Sequence, residues 1–274
     1  MNTNDLLSIK DFSKFTGIPQ STLRYYDEIG LFSPVLRGDN NYRYYSCPQI
    51  TTVNLINTLA ALDIPRKEII ELANSRTPKS ILERFSKQED LLNEQMRHIY
   101  ESHSIIHTFR KLIEQGLSAN EKEVSICTTD TLPFTMGPKN DFHANEQFYD
   151  SFVNHCHYVE SIGVSLSYPV GGYYTNLDAY IAMPSQPTNF FSLNPVGKCS
   201  KPAGHYLVGY TRGYYGEMGD LPKRLLKYAD KHKLSPKGSV YVVYLHDEIS
   251  MKDCEYLAQV SVALDPPPKS KNRT

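Results

Sequence analysis

Residues 22–31 read Thr22-Leu23-Arg24-Tyr25-Tyr26-Asp27-Glu28-Ile29-Gly30-Leu31, and this stretch decides the fold of the amino-terminal part. Leu23, Tyr26 and Ile29 recur at helical spacing, which makes them the inward face of a helix over residues 20–29. Arg24 and Tyr25 then fall on its outer side. Gly30 supplies the positive φ that ends such a helix. Upstream, Thr16-Gly17-Ile18-Pro19 reads as a turn, because Gly17 is conformationally free and Pro19 biases its predecessor away from the helical region. Before that turn, Ser8 is an N-cap candidate for a helix over residues 9–15, with Asp11 at the third helical position. Two short helices joined by a Gly-containing turn make a helix-turn-helix pattern. Downstream, the turn cluster 36–41 and the strand-like run Tyr42-Arg43-Tyr44-Tyr45 predict a small β-hairpin, or wing. Two further helices are expected over residues 47–62 and 65–74.

The motif 22–31, with Ser8-Ile9 ahead of it and Asn41-Tyr42-Arg43-Tyr44-Tyr45 behind it, resembles the DNA-binding domain of MerR-family transcription regulators over about residues 5–75. The resemblance implies that the second helix enters the major groove of double-stranded promoter DNA and that the wing touches the backbone. Arg24 can then fork two hydrogen bonds to guanine or phosphate, and Tyr25 can donate its hydroxyl to a phosphate. Thr22 sits near the positive end of the helix dipole, where a phosphate contact is favoured. Arg43 is the expected clamp of the wing, flanked by Tyr42 and Tyr44, and Lys10 and Lys14 are further candidates. Asp27 and Glu28 are acidic and are expected to face away from phosphate. Residues 20–45 hold three Arg against three acids, so binding relies on placed charges rather than bulk basicity.

Residues 78–116 contain no Gly or Pro between Pro78 and Gly116 and read as one long helix. Phe85, Leu92, Ile99, Ile106 and Ile113 recur every seven residues, the pattern of a coiled-coil seam. Leu82, Met96 and Phe109 widen the stripe, while Gln88, Gln95, Ser102 and His103 interrupt the second core position. A single helix cannot bury its own seam, so a partner is required. The MerR resemblance implies an antiparallel coiled coil in a homodimer. His98, His103 and His107 read as solvated edge residues rather than metal ligands.

Residues 121–264 alternate apolar and polar positions and hold most of the Gly, Pro and Tyr. Strands are expected from Val124, at 163–168, 172–174, 179–183, 203–210, 239–246 and 255–264. A loop rich in Thr and Pro follows the first, helices fall at 144–162 and 219–233, and a turn at 211–213. Helix followed by strands occurs twice, suggesting an internal duplication around an antiparallel sheet. The motifs Pro202-Ala203-Gly204-His205-Tyr206, Arg212-Gly213-Tyr214-Tyr215, Leu234-Ser235-Pro236-Lys237-Gly238 and the run 256–262 are similar to the GyrI-like effector domain of the BmrR-type, multidrug-responsive MerR regulators. That resemblance implies binding of lipophilic aromatic small molecules, often cationic, in a cleft between the two pseudo-repeats. Aromatic rings suit such ligands through cation–π contact. Tyr149, Tyr173, Tyr174, Tyr206, Tyr210, Tyr214, Tyr215, Tyr244 and Tyr256 are the candidate rings, although Tyr173 and Tyr174 must point to opposite sides of a strand. The family commonly carries a buried Glu in its last strand; the matching position here is Gln259. Glu160, Glu146 and Asp178 are then candidates for a substitute acid. A carboxylate at Gln259 (Gln259→Glu) is expected to favour cations over neutral isosteres.

The resulting organisation is an α+β multidomain chain. Residues 1–75 form a winged helix-turn-helix head, 76–117 a dimerisation helix, 121–265 an effector domain, and 266–274 a Pro-rich, basic, unfolded tail. The chain has 274 residues, 40% hydrophobic and 22% charged, which excludes a wholly disordered polymer. No apolar run approaches the ~20 residues of a bilayer span, and the polar start lacks the core of a signal peptide. Five scattered cysteines fit free thiols in a reducing cytoplasm. The formal charge of −1 points to no partner by itself. There are 20 Tyr and no Trp, and 14 of the Tyr lie beyond residue 148. The family implies a promoter-bound activator that distorts an overlong spacer so that RNA polymerase engages both elements, with a multidrug-efflux gene as the target. Two other classes are weighed. A metal or redox sensor needs ligand spacing that Cys127 and His155-Cys156-His157 do not supply. A hydrolase needs a nucleophile constellation, and only a Glu160–Tyr210 pair suggests itself. No cofactor and no metal are expected.

Overall fold

In a computed structural model the chain divides into two compact units, Met1–His98 and Ile99–Thr274. The structure describes residues 6–38, 41–74, 77–142, 148–236, 238–253 and 255–264. The expected unfolded tail, the start of the helix proposed from residue 144, and Glu146 lie outside the described residues.

The first unit runs β1 (Leu6–Ser8), α1 (Ile9–Thr16), α2 (Gln20–Glu28), β2 (Leu36–Arg37), β3 (Arg43–Ser46), α3 (Pro48–Ala61) and α4 (Arg66–Asn74), and contains the start of α5 (Pro78–Leu117). Ser8 caps α1 by accepting the backbone N–H of Asp11 at 3.1 Å. Gly17 and Gly30, both at φ 72°, end α1 and follow α2 in the left-handed conformation. The wing pairs β2 with β3, and β1, which the sequence pattern did not suggest, adds to the other side of β3. Phe12, Phe32 and Tyr45 stack beneath these strands, with Phe12 and Tyr45 ring centroids 4.5 Å apart. Leu23, Val53, Ile56 and Ile69 complete this core.

Helix α5 is 40 residues long, about 60 Å at 1.5 Å per residue. Phe85, Leu92, Ile99 and Ile106 on it are exposed, with Ile99 at 65% and Ile106 at 67%. Gln88 explains one interruption of the seam: its amide donates to the Leu62 carbonyl at 2.8 Å, tying off the end of α3.

The second unit contains β4 (Ser125–Thr129), β5 (Leu132–Lys139), α6 (Phe148–Ser161), β6 (Val170–Tyr174), α7 (Leu177–Ala182), β7 (Asn189–Ser192), β8 (Cys199–Lys201), β9 (Gly204–Gly213), α8 (Leu221–His232), β10 (Val240–His246) and β11 (Tyr256–Ala263). The sheet order is β4-β9-β11-β10-β6-β7-β5-β8, antiparallel throughout. Strand–helix–strand–strand occurs twice, as β5-α6-β6-β7 and β9-α8-β10-β11. In each copy the first strand lies outermost of its three and the second innermost, so β6 and β10 meet at the centre.

Four sequence expectations need correction here. The Thr- and Pro-rich stretch is strand β5, not a loop; its Pro133 is tolerated beside the short edge strand β8. Residues 163–168 form no strand, because Gly163 (φ 75°) closes α6 and turns the chain. Residues 179–183 belong largely to helix α7, capped by Asn176 accepting the Ala179 N–H at 2.8 Å. A short apolar run cannot be told from a strand by periodicity, and the Asn cap is the discriminating signal. The turn placed at 211–213 is the end of β9.

Candidate functional site

Two surfaces carry chemistry, one on each unit. On the first, α2 turns Leu23 and Tyr26 inward and leaves Arg24 and Tyr25 exposed, as the helical spacing requires. Tyr26 is fixed by donating to the Asn57 side chain at 3.3 Å. Lys10 and Lys14 are exposed on α1, and Thr22 is half-buried on the first turns of α2. In the wing the rings of Tyr42 and Tyr44 lie 5.5 Å apart. Arg43 is not a free clamp: its Nε donates to Asp27 Oδ2 at 2.6 Å. Asp27 is turned inward; its side chain is 1% exposed and is held by Arg43 and Arg37. Arg37 went unremarked in the sequence because it lies in the turn cluster.

On the second unit, a cavity of about 350 Å³ opens beside the central strands β6 and β10. Gly171 and Gly172 form its floor together with Val242, and a side chain at Gly171 would collide with Phe191 and the Val242 carbonyl. Helix α6 contributes Phe148, Tyr149 and Phe152; Phe148 and Phe152 meet Phe190 edge-on at 5.1 and 5.7 Å. The segment after β9 contributes Tyr214 and Tyr215, and Tyr215 meets Tyr244 edge-on at 4.7 Å. Tyr244 accepts the Gly216 N–H at 2.8 Å, and burial pushes its hydroxyl up to about 12, so it stays protonated at neutral pH. Phe109 of the long helix completes the lining. Two acids, Asp247 and Glu248, enter from the turn after β10. Burial raises the Asp247 carboxyl above its ordinary value, and the Ile249 N–H donated to it opposes that shift.

The residues singled out from the sequence therefore separate. Tyr149, Tyr174, Tyr214, Tyr215 and Tyr244 line the cavity. Tyr173 does not: strand alternation sends Tyr174 into the lining and Tyr173 to the opposite face, where it bonds Ser239 at 3.0 Å. Tyr206 lies on that opposite face too, its ring already covered by the Lys201 ammonium at 4.2 Å. Tyr210 and Gln259 pair with each other there at 3.3 Å, so Gln259 is not a cavity residue. Glu160 and Asp178 are exposed and outside the lining, and no Glu160–Tyr210 contact forms. Phe148, Phe152, Phe190, Phe109, Asp247 and Glu248 were missed. Phe109 shares the seven-residue spacing of Gln88, Gln95 and Ser102, so it read as part of the helix stripe, and a lone turn acid carries no signal of its own.

Behind the acids, His246 donates from Nε2 to the Ile113 carbonyl of α5 at 3.2 Å. Gly116 permits this approach, since a Cβ there would lie 2.4 Å from the same nitrogen. The end of the long helix is thus fastened to the strand whose turn supplies the acids. Among the described residues, no group of three or more His, Cys, Asp or Glu side chains could hold a metal ion, and no helix is long and apolar enough to cross a membrane.

The first unit has a winged helix-turn-helix, and the second holds an aromatic-lined cavity. The MerR family regulatory protein model matches residues 8–45 of this chain. The chain is similar to the multidrug-efflux transporter 2 regulator of Bacillus subtilis, 26% identical over 87% of this chain and 89% of that protein. It is also similar to the multidrug-efflux transporter 1 regulator of the same organism, 25% identical over 53% of this chain and 55% of that one. Among solved structures, the chain is similar to EcmrR in an EcmrR–DNA complex, over 93% of this chain and 98% of that one, at 18% identity and a TM-score of 0.36.

Proposed function

We propose that this protein is a ligand-responsive transcription activator that takes lipophilic aromatic cations into the cavity of its second unit and acts in the cytoplasm as a homodimer on promoter DNA. The observation that carries the reading is the composition of the cavity: Phe and Tyr rings packed edge-on line about 350 Å³, with Asp247 and Glu248 at one side. Rings offer dispersion and cation–π attraction, and the two carboxylates neutralise a charge that would otherwise be stranded in apolar surroundings. The exposed heptad residues of α5 support pairing with a second copy through a coiled coil. The pairing of β6 with β10 supports reading the second unit as a GyrI-like duplication with the ligand at its centre.

Activation follows from two contacts. Phe109 belongs both to the cavity and to α5, and His246 fastens α5 to the strand that ends in the acidic turn. A ligand that fills the cavity favours one setting of α5 over another, and by linkage it can shift the regulator only as far as it discriminates between them. The DNA-bound heads then distort the promoter spacer for RNA polymerase. Titrating the full-length protein with an aromatic quaternary cation and with a neutral isostere, followed by Tyr fluorescence, tests the reading. Saturable quenching that favours the cation, lost in a Tyr244→Ala variant, is expected; indifference to both compounds rejects it.

A further inference from the structure

We propose that Asp27, an acid on the helix expected to enter the groove, strengthens DNA binding by holding the two arginines of the wing. The inference rests on the DNA-binding role of the head and adds to it a positioning residue of unexpected sign. Arg37 and Arg43 are direct cross-strand partners in the β2–β3 hairpin. Like charges directly opposite each other on one face of a hairpin repel and push the strands apart. Asp27 removes that conflict. Arg37 Nη2 donates to both of its carboxylate oxygens, at 2.9 and 2.8 Å, and Arg43 Nε donates to Oδ2 at 2.6 Å. Arg37 also reaches the Asn41 side chain at 3.2 Å, so the same guanidinium spans the turn of the wing.

The charge count gives the arrangement its direction. One carboxylate serves two guanidinium groups, which leaves one positive charge beyond what it neutralises. Arg37 keeps 46% of its side chain exposed, Arg43 keeps 17%, and the carboxylate keeps 1%. The cationic side of the cluster faces outward and the anionic side is buried. Asp27 lies on the last turn of α2, so the cluster fixes the wing against the helix that carries Arg24 and Tyr25. A buried carboxylate with charge-assisted bonds on both oxygens is a rigid joint, because losing any one partner strands a charge.

The test uses full-length protein with wild-type sequence, Asp27→Asn, Arg37→Met, and the double variant. Two readouts are taken: affinity for a mixed-sequence duplex across a range of salt, and the rate of tryptic cleavage after Arg43 without DNA. Asp27→Asn removes a negative charge, so bulk electrostatics alone would tighten binding. The expected result is the reverse: about tenfold weaker binding, with the log–log salt slope smaller by about 1–2 as one or two phosphate contacts are lost. Cleavage after Arg43 quickens severalfold. In the Arg37→Met background the repulsion is gone, and Asp27→Asn has a much smaller effect on both readouts. Equal or tighter binding, additive effects, or an unchanged cleavage rate overturns the proposal. Should Asp27→Asn fail to fold, recovery of folding in the double variant supports it and continued failure overturns it. If the wild-type protein binds no duplex at all, the DNA-binding reading fails, while the protease rates still decide the role of Asp27.

Discussion

His155 is fully buried and makes a side-chain hydrogen bond from Nε2 to Ser192 Oγ at 2.9 Å, while its Nδ1 has no hydrogen-bond partner among the described residues. Burial lowers its pKa to about 4, against an ordinary 6.5. The folded protein therefore resists protonation that the unfolded chain accepts between pH 6.5 and about 4. Stability of the second unit is expected to fall by up to about 3 kcal/mol as pH drops through this window. Thermal melts from pH 7 to 4 should show the loss, and His155→Gln should flatten it; an equal slope in the variant would reject the assignment. Gln259 gives a second prediction at this scale, opposite to the one its sequence position suggested. Because it pairs with Tyr210 on the face away from the cavity, Gln259→Glu buries a charge without serving a ligand. It should cost about 1–3 kcal/mol in urea melts and leave the cation preference unchanged. Asp247→Asn with Glu248→Gln, by contrast, should reduce affinity for an aromatic cation about tenfold and spare its neutral isostere, as read by Tyr quenching.

At the scale of elements, most helices were legible because their evidence is local. Ser8, Gly17 and Gly30 punctuate α1 and α2, and the period of Leu23, Tyr26 and Ile29 sets the buried face. Strand β5 was not legible, because short apolar runs take their state from neighbours distant in sequence, whereas α7 carried a local signal in its Asn176 cap. The candidate site fared worse for the same reason. Which tyrosines share a cavity depends on the β6–β10 register and strand parity, and Tyr173 and Tyr174 differ by one position but face opposite sides. Composition announced that rings were plentiful; it could not say that Lys201 already covers Tyr206. Helix α5 offers its own prediction. Ile99→Asp with Ile106→Asp should convert a dimer to a monomer in sedimentation velocity while leaving the melting of each unit nearly unchanged, since both side chains are exposed in the single chain. A variant that remains dimeric removes these residues from the interface.

For the whole molecule, the fastening between α5 and β10 is the feature on which signalling is proposed to depend. Gly116→Ala places a methyl group against His246 and should break that contact. The expected outcome is a protein that still binds the cation within about threefold but responds weakly in a transcription assay; full activation would show that the contact transmits nothing.

Phe109 imposes a constraint of another kind. The same ring lines the cavity of the second unit and belongs to helix α5. Reshaping the chamber at α6 or in the Tyr214–Tyr215 corner can widen the menu of compounds while the output stays intact. A change at residue 109 alters menu and output together, so a selection for new inducers should accumulate substitutions on every wall except that one.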